Sequence, residues 1–359
     1  MHCPAFIAHN NIWVSLVVGG LANGFLYALI ALGYTLVYGV LRLINFAHSE
    51  VVMAGGFGGL FAMRAVLGTS TPAGFWAIGF MLVGIVAGAL AGGATAFVLE
   101  RVAYRPLRKR NAPRLTYLIS AIGASFFLYN IAGKEFGRYT AFIQTPTVIQ
   151  GNAFSLCGVG VQSDWILTMV TALVLLLVLD TVVNRTKLGK GIRAVAQDAE
   201  TASLMGVHID RTIALTFVLG GLMGGAAGFL FGLQFGVIYT MGFVPGLKAF
   251  TAAVLGGIGN IRGAMIGGLL LGVFESIPLR WMSAEWQDVV AFGVLVMLLL
   301  FRPTGILGER LGREACRRPA STPRRARVPA PSTNRRGFRS QPSLRASPPV
   351  QLRGGSAFA

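Results

Sequence analysis

Charge is what this sequence has least of. Only 12% of its 359 residues are Asp, Glu, Lys or Arg, where soluble domains carry about 25%. With 54% apolar residues and a mean hydropathy of +0.66, that shortage excludes an ordinary soluble enzyme and a disordered chain. Cysteine is scarce too. Cys3, Cys157 and Cys316 lie far apart without a Cys-x-x-Cys pair, so a disulfide scaffold is excluded and thiol redox chemistry is disfavoured. Catalytic motifs are also missing. Gly189-Lys190-Gly191 lacks the upstream glycine and the hydroxyl residue of a phosphate-binding loop, so the chain is not expected to hydrolyse ATP. His2, His9, His48 and His208 are scattered. No zinc-protease or serine-hydrolase motif stands around them. No catalytic residue, metal or cofactor is expected.

What is present is long apolar runs, the mark of an all-α polytopic membrane protein. Candidate spans are 12–41, 51–67, 76–99, 116–132, 165–184, 212–235, 247–258, 263–279 and 288–302. Most approach the roughly 20 residues that cross about 30 Å of hydrocarbon. The first is too long for a signal-peptide core and reads as an uncleaved span. The 247–258 run would rise only about 18 Å and is a short or broken span. Eight to nine transmembrane helices are therefore expected.

Positive charge orients them. The 100–115 loop carries six Lys/Arg against Glu100, and the 185–211 loop is also basic. Both are expected in the cytoplasm. The 133–164 loop is balanced and fits the outside, as does the N-terminus. A crossing 247–258 segment puts the C-terminus in the cytoplasm.

The net charge of +18 suggests nucleic acid until it is located. Residues 309–359 hold 12 Arg and 2 Glu, a net of +10. They also hold seven of the 15 prolines. This composition reads as a solvated, disordered tail beyond a transmembrane domain at 1–308. No nucleic-acid partner is expected.

Glycine, at 48 residues, is arranged as well as abundant. Gly220, Gly224, Gly228, Gly232 and Gly236 recur every four positions, as a stripe for close helix packing. Gly84, Gly88 and Gly92 repeat the pattern.

Polar residues among the apolar runs are the functional candidates. Asn45, His48 and Glu50 sit in a break between two apolar runs. They read either as a capped interfacial turn or as the inner mouth of a pathway. Glu275 follows twelve uncharged residues. It either pairs with Arg280 at the outer interface or faces a water-filled pathway. Asp180 and Lys248 read as headgroup anchors near span ends. In the 185–211 loop, helix formers run from Ile192 to Met205 and Gly206 supplies a stop. Ile192, Val195, Ala199, Ala202 and Met205 share one small-residue face. Such a helix suits docking to a soluble partner or lying on headgroups.

With these residues in view, the chain resembles the branched-chain amino acid permease family of ATP-binding-cassette importers. The resemblance rests on residues 27–39, 44–50 (Ile-Asn-Phe-Ala-His-Ser-Glu), 100–106, 118–123, 189–206, 248–259, 263–268 and 302–308. These stand in order across about 12–308. It implies a bacterial inner-membrane subunit that moves leucine, isoleucine or valine inward. The implied partners are a second permease subunit, two cytoplasmic ATP-binding subunits and a periplasmic substrate-binding protein. The loop helix would be the coupling element, and Gly189, Arg193, Ala194, Asp198, Ala202 and Gly206 match the family's loop. Ser49 replaces a usual glycine and Arg262 a usual proline; the tail after Gly308 has no family counterpart. A urea or short-chain amide permease, or an ion-coupled amino acid carrier, are the alternative readings.

Overall fold

A computed structural model of the chain describes residues 11–67, 75–136, 152–156, 159–302 and 304–307. The tail expected at 309–359, and most of the 133–164 loop, lie outside the described residues.

The first helix, α1 (Asn11–Leu41), is the axis of the molecule. Every residue from Leu26 to Leu32 is buried, as expected of a helix apolar all round. Then come α2 (His48–Leu67) and α3 (Phe75–Leu99). A π-helical turn (Glu100–Tyr104) continues α3 into the short α4 (Arg105–Lys109). Next is α5 (Arg114–Phe136). An antiparallel pair, β1 (Asn152–Leu156) and β2 (Val159–Gln162), precedes α6 (Ser163–Arg185). The hydropathy pattern carried no sign of this hairpin.

Two short helices follow, α7 (Lys187–Gln197) and α8 (Ala199–Leu204). Then α9 (Ile209–Phe235) runs back through the core. The chain ends with α10 (Phe243–Gly256), α11 (Ile261–Ser276), a 3-10 turn (Ile277–Arg280) and α12 (Trp286–Phe301).

The nine apolar runs thus correspond to nine helices. Six helical stretches are long and apolar enough to cross a membrane: Trp13–Leu41, Ile78–Lys109, Arg114–Phe136, Ser163–Arg185, Ile209–Phe235 and Ile261–Arg280. The short ones are α10 and α12. At 14 residues, α10 rises about 21 Å, so 247–258 is indeed abbreviated. The ninth, α2, carries Glu50 and Arg64 and four glycines among 20 residues.

Glycine sets the packing. On α9, Gly220 faces the Gly33 backbone of α1, and Gly224 faces the His48 ring. A Cβ on Gly228 would overlap the Val52 carbonyl of α2. A second face, Gly221 and Gly225, meets Gly88 and Gly92 of α3, and Gly55 of α2 meets Gly225. One glycine of the expected stripe does another job. Gly236 has φ +80° and ends α9, a conformation that suits only glycine.

Helices α10 and α11 close as a tight hairpin in which Gly256 abuts Gly263, whereas α1 and α2 diverge and each packs on α9 instead.

Candidate functional site

The break after α1 is built by local hydrogen bonds. Arg42 adopts φ +52° and turns the chain. Asn45 Oδ1 accepts the Ala47 N–H at 3.1 Å and the Tyr104 hydroxyl at 2.7 Å, which pins the start of α2 to the π turn. Asn45, His48 and Glu50 are all buried. His48 stacks edge-on with Tyr34, centroids 4.7 Å apart, and sits against Gly33 and Gly224. Gly33 lies two turns inside α1 and Gly224 near the middle of α9. His48, at the start of α2, therefore lies beside the body of α1 and α9 rather than beside the end of α1.

Glu50 is 2% exposed. Its Oε1 accepts the Ser125 hydroxyl at 3.2 Å, and the Ser49 hydroxyl lies 3.4 Å away. Ser49 donates mainly to the Phe46 carbonyl at 2.8 Å. The side chain beyond the usual glycine is thus absorbed locally. Glu50 lines a 540 Å³ cavity bounded by α2, α5, the start of α10 and the turn before it.

Glu275 has a different environment. It is 3% exposed and bonds Lys248 Nζ of α10 at 2.5 Å. Asp288 of α12 lies 2.7 Å from the same ammonium, and Tyr27 of α1 packs against both groups. The ion-pair partner of Glu275 is Lys248 rather than the expected Arg280. Lys248 likewise is a buried ion-pair partner rather than a headgroup anchor. Two lone charges in apolar runs, one basic and one acidic, were the available signal for this pair. Asp180 lies 3.7 Å from Arg262.

At the basic end of the bundle, Arg108 joins the buried Glu100 at 2.9 Å to Asp210 at 2.8 Å. The 185–211 loop folds here. One helix over 192–206 was expected; two form instead. Thr186 caps α7, accepting the Gly189 N–H, and Asp198 caps α8, accepting the Glu200 N–H at 3.0 Å. An Asx cap competes with continuing helix, so Asp198 divides it. The expected face divides as well. Ile192, Val195 and Ala202 pack inward, whereas Leu204 and Met205 are 83% and 81% exposed. Gly206, at φ +84° with open space around it, ends the element.

Two guanidinium groups tie the loop to the bundle. Arg193 donates to the Val183 carbonyl at the end of α6. Arg42 donates to the Ala196 and Gln197 carbonyls at 3.2 and 3.3 Å, where a cation also suits the C-terminus of α7. Gly189 lies against the Val183 backbone. Ala194 sits half-buried on α7. Sequence reasoning missed Arg42, because a single arginine at a span end reads as topology.

The Thr201 hydroxyl and then the Glu200 N–H hold the Asp198 carboxyl below the ordinary carboxylate range. A depressed carboxyl stabilises the fold above its usual range, and that contribution disappears as pH falls through the folded value. Faster amide exchange across 199–204 is expected in Asp198→Ala at neutral pH. The wild type is expected to approach it only in acid, and equal exchange at neutral pH would remove the capping role.

The sequence model described as branched-chain amino acid transport system / permease component matches residues 16–299. The chain belongs to this family. The permease is 44% identical over 301 residues to the high-affinity branched-chain amino acid transport system permease protein BraD of Pseudomonas aeruginosa, spanning 82% of this chain and 95% of the relative. It is 43% identical over 299 residues to LivH of Escherichia coli strain K12, spanning 81% and 94%. A probable LivH of Methanocaldococcus jannaschii is 25% identical over 300 residues, spanning 81% and 91%. No solved structure matches the chain.

Proposed function

We propose that this permease moves leucine, isoleucine or valine inward as one subunit of an ATP-driven importer. The carrying observation is 43–44% identity along almost the whole length of permeases named for high-affinity branched-chain amino acid transport. In this reading a second permease subunit completes the membrane unit, two ATP-binding subunits supply hydrolysis, and a periplasmic binding protein delivers substrate. The basic end, with the 100–115 and 185–211 loops, faces the cytoplasm, as does the C-terminus. The N-terminus lies outside.

The exposed Leu204–Met205 tip of α8 is the surface for an ATP-binding subunit, a docked apolar knob. Arg42 relays its displacement, because one side chain links the end of α7 to the break that positions Glu50. The family-matched residues Gly189, Arg193, Asp198, Ala202 and Gly206 hold the loop's shape, with Ala202 inward-facing. Of the pathway candidates, Glu50 lines the cavity while Asn45 and His48 support the break. Glu275 is tied to Lys248, so it is not the free membrane acid on which an ion-coupled carrier would depend. The largely apolar cavity argues against urea.

The test is uptake of labelled leucine into proteoliposomes holding the full complex. Uptake is expected only with ATP and binding protein; ion-driven uptake by this chain alone would overturn the proposal. The double change Leu204→Glu with Met205→Glu is expected to abolish co-purification of the ATP-binding subunits and leave membrane insertion intact. Unchanged co-purification would remove α8 as the docking element.

A further inference from the structure

We propose that the Glu50 cavity is a zwitterion subsite on the translocation route, holding the ammonium of an aliphatic amino acid on Glu50 and its side chain on Ile122, Phe126 and Leu247. The inference rests on the importer reading and adds the place and chemistry of recognition within the membrane.

Three independent features converge on one cavity. The first is a buried carboxylate without a cation. Among the described residues no Lys, Arg or His lies within ion-pair distance of Glu50, whereas the equally buried Glu100 and Glu275 both have one. Hydroxyls of Ser49 and Ser125 are its partners. A carboxylate taken from water without a counter-charge is costly, and an arriving ammonium supplies what the fold omits. The second is size and lining. The cavity is 540 Å³, within the roughly 300–1,000 Å³ of small-ligand sites. Ile122, Phe126 and Leu247 give it an aliphatic and aromatic wall.

The third is a complement for the substrate carboxylate. Thr240, in the turn before α10, and Val244, in its first turn, line the same cavity. The Val244 N–H makes no backbone hydrogen bond among the described residues. Gly242 and Gly246 bring this helix start against Ser49, the residue before Glu50. A helix N-terminus favours an anionic group. Acid and helix start thus address opposite ends of a zwitterion, and the wall reads the branched side chain. The helix that supplies most of the wall, α5, has only 11% of its apolar window buried.

The experiment uses the complete importer in proteoliposomes, with co-purification of all subunits confirming assembly of each variant. Leucine uptake is expected to fall about tenfold to hundredfold in Glu50→Gln, the scale of one lost charged hydrogen bond, and Glu50→Asp is expected to recover part of it. Ile122→Trp, which narrows the wall, is expected to raise the valine-to-leucine uptake ratio about threefold, equivalent to about 0.6 kcal/mol. Wild-type uptake in Glu50→Gln with an unchanged ratio in Ile122→Trp would overturn the subsite. Equal loss in Glu50→Gln and Glu50→Asp, again with an unchanged ratio, would also overturn it, by marking Glu50 as structural. Failure of the wild-type complex to take up leucine would instead overturn the importer reading.

Discussion

Replacing Lys248 with methionine is expected to destabilise the permease by about 3–5 kcal/mol, the usual cost of leaving one member of a buried ion pair alone. Glu275 is the member left behind: it is 3% exposed and bonds Lys248 at 2.5 Å. Asp288 suffers less, because its side chain is 51% exposed and water can replace the lost ammonium. The partner substitution makes the prediction specific. Lys248→Met combined with Glu275→Met is expected to recover most of the loss, since an apolar pair of similar volume removes both desolvation costs. Thermal unfolding in detergent of both single variants and the double variant closes the cycle. A melting temperature for Lys248→Met equal to wild type would show that the pair contributes nothing.

The second large effect concerns glycine. Gly228→Ala is expected to prevent recovery of a monodisperse protein, or to lower its stability by at least about 1–3 kcal/mol, the common cost of overpacking. The obstacle is the Val52 carbonyl of α2, with the Gly56 N–H behind it at 3.1 Å. Backbone cannot swing aside as a side chain can. Gly55, which meets the Gly225 backbone, is expected to behave alike. Two controls carry the opposite expectation. A Cβ on Gly39 or Gly123 meets nothing within 4 Å, so alanine there is neutral or stabilising through helix propensity. Size-exclusion profiles after mild heating compare all four. Similar losses at Gly123 and Gly228 would show that helix flexibility, not contact, sets the effect.

Much of the fold was legible because the bilayer imposes one simple rule. Every backbone polar group must be satisfied within the membrane, so long apolar runs become helices. The helix ends agree with the apolar runs to within four residues. The Gly220–Gly232 repeat revealed a packed face for the same reason that it works: four residues return a helix to nearly the same side. It did not reveal the Gly221–Gly225 face, which needs a second neighbour to define it. Asp198 defeated the loop helix because a short polar side chain competes with its own backbone, and periodicity alone does not weigh that competition.

The scarcity of charge in the first 308 residues determined the class of protein, since charged groups are expensive in hydrocarbon. The clustering of the remaining arginines located the basic end. Those are properties of composition and order, readable one residue at a time. Which charges meet was decided only by the tertiary structure. Lys248 and Glu275 stand 27 positions apart and join because α10 and α11 fold as a hairpin. Glu50 carries the same charge as Glu275, yet the packing of α2, α5 and α10 sets it beside a cavity, with no cation at ion-pair distance among the described residues. Electrostatic energy depends on distance and burial, and neither is a property of sequence position.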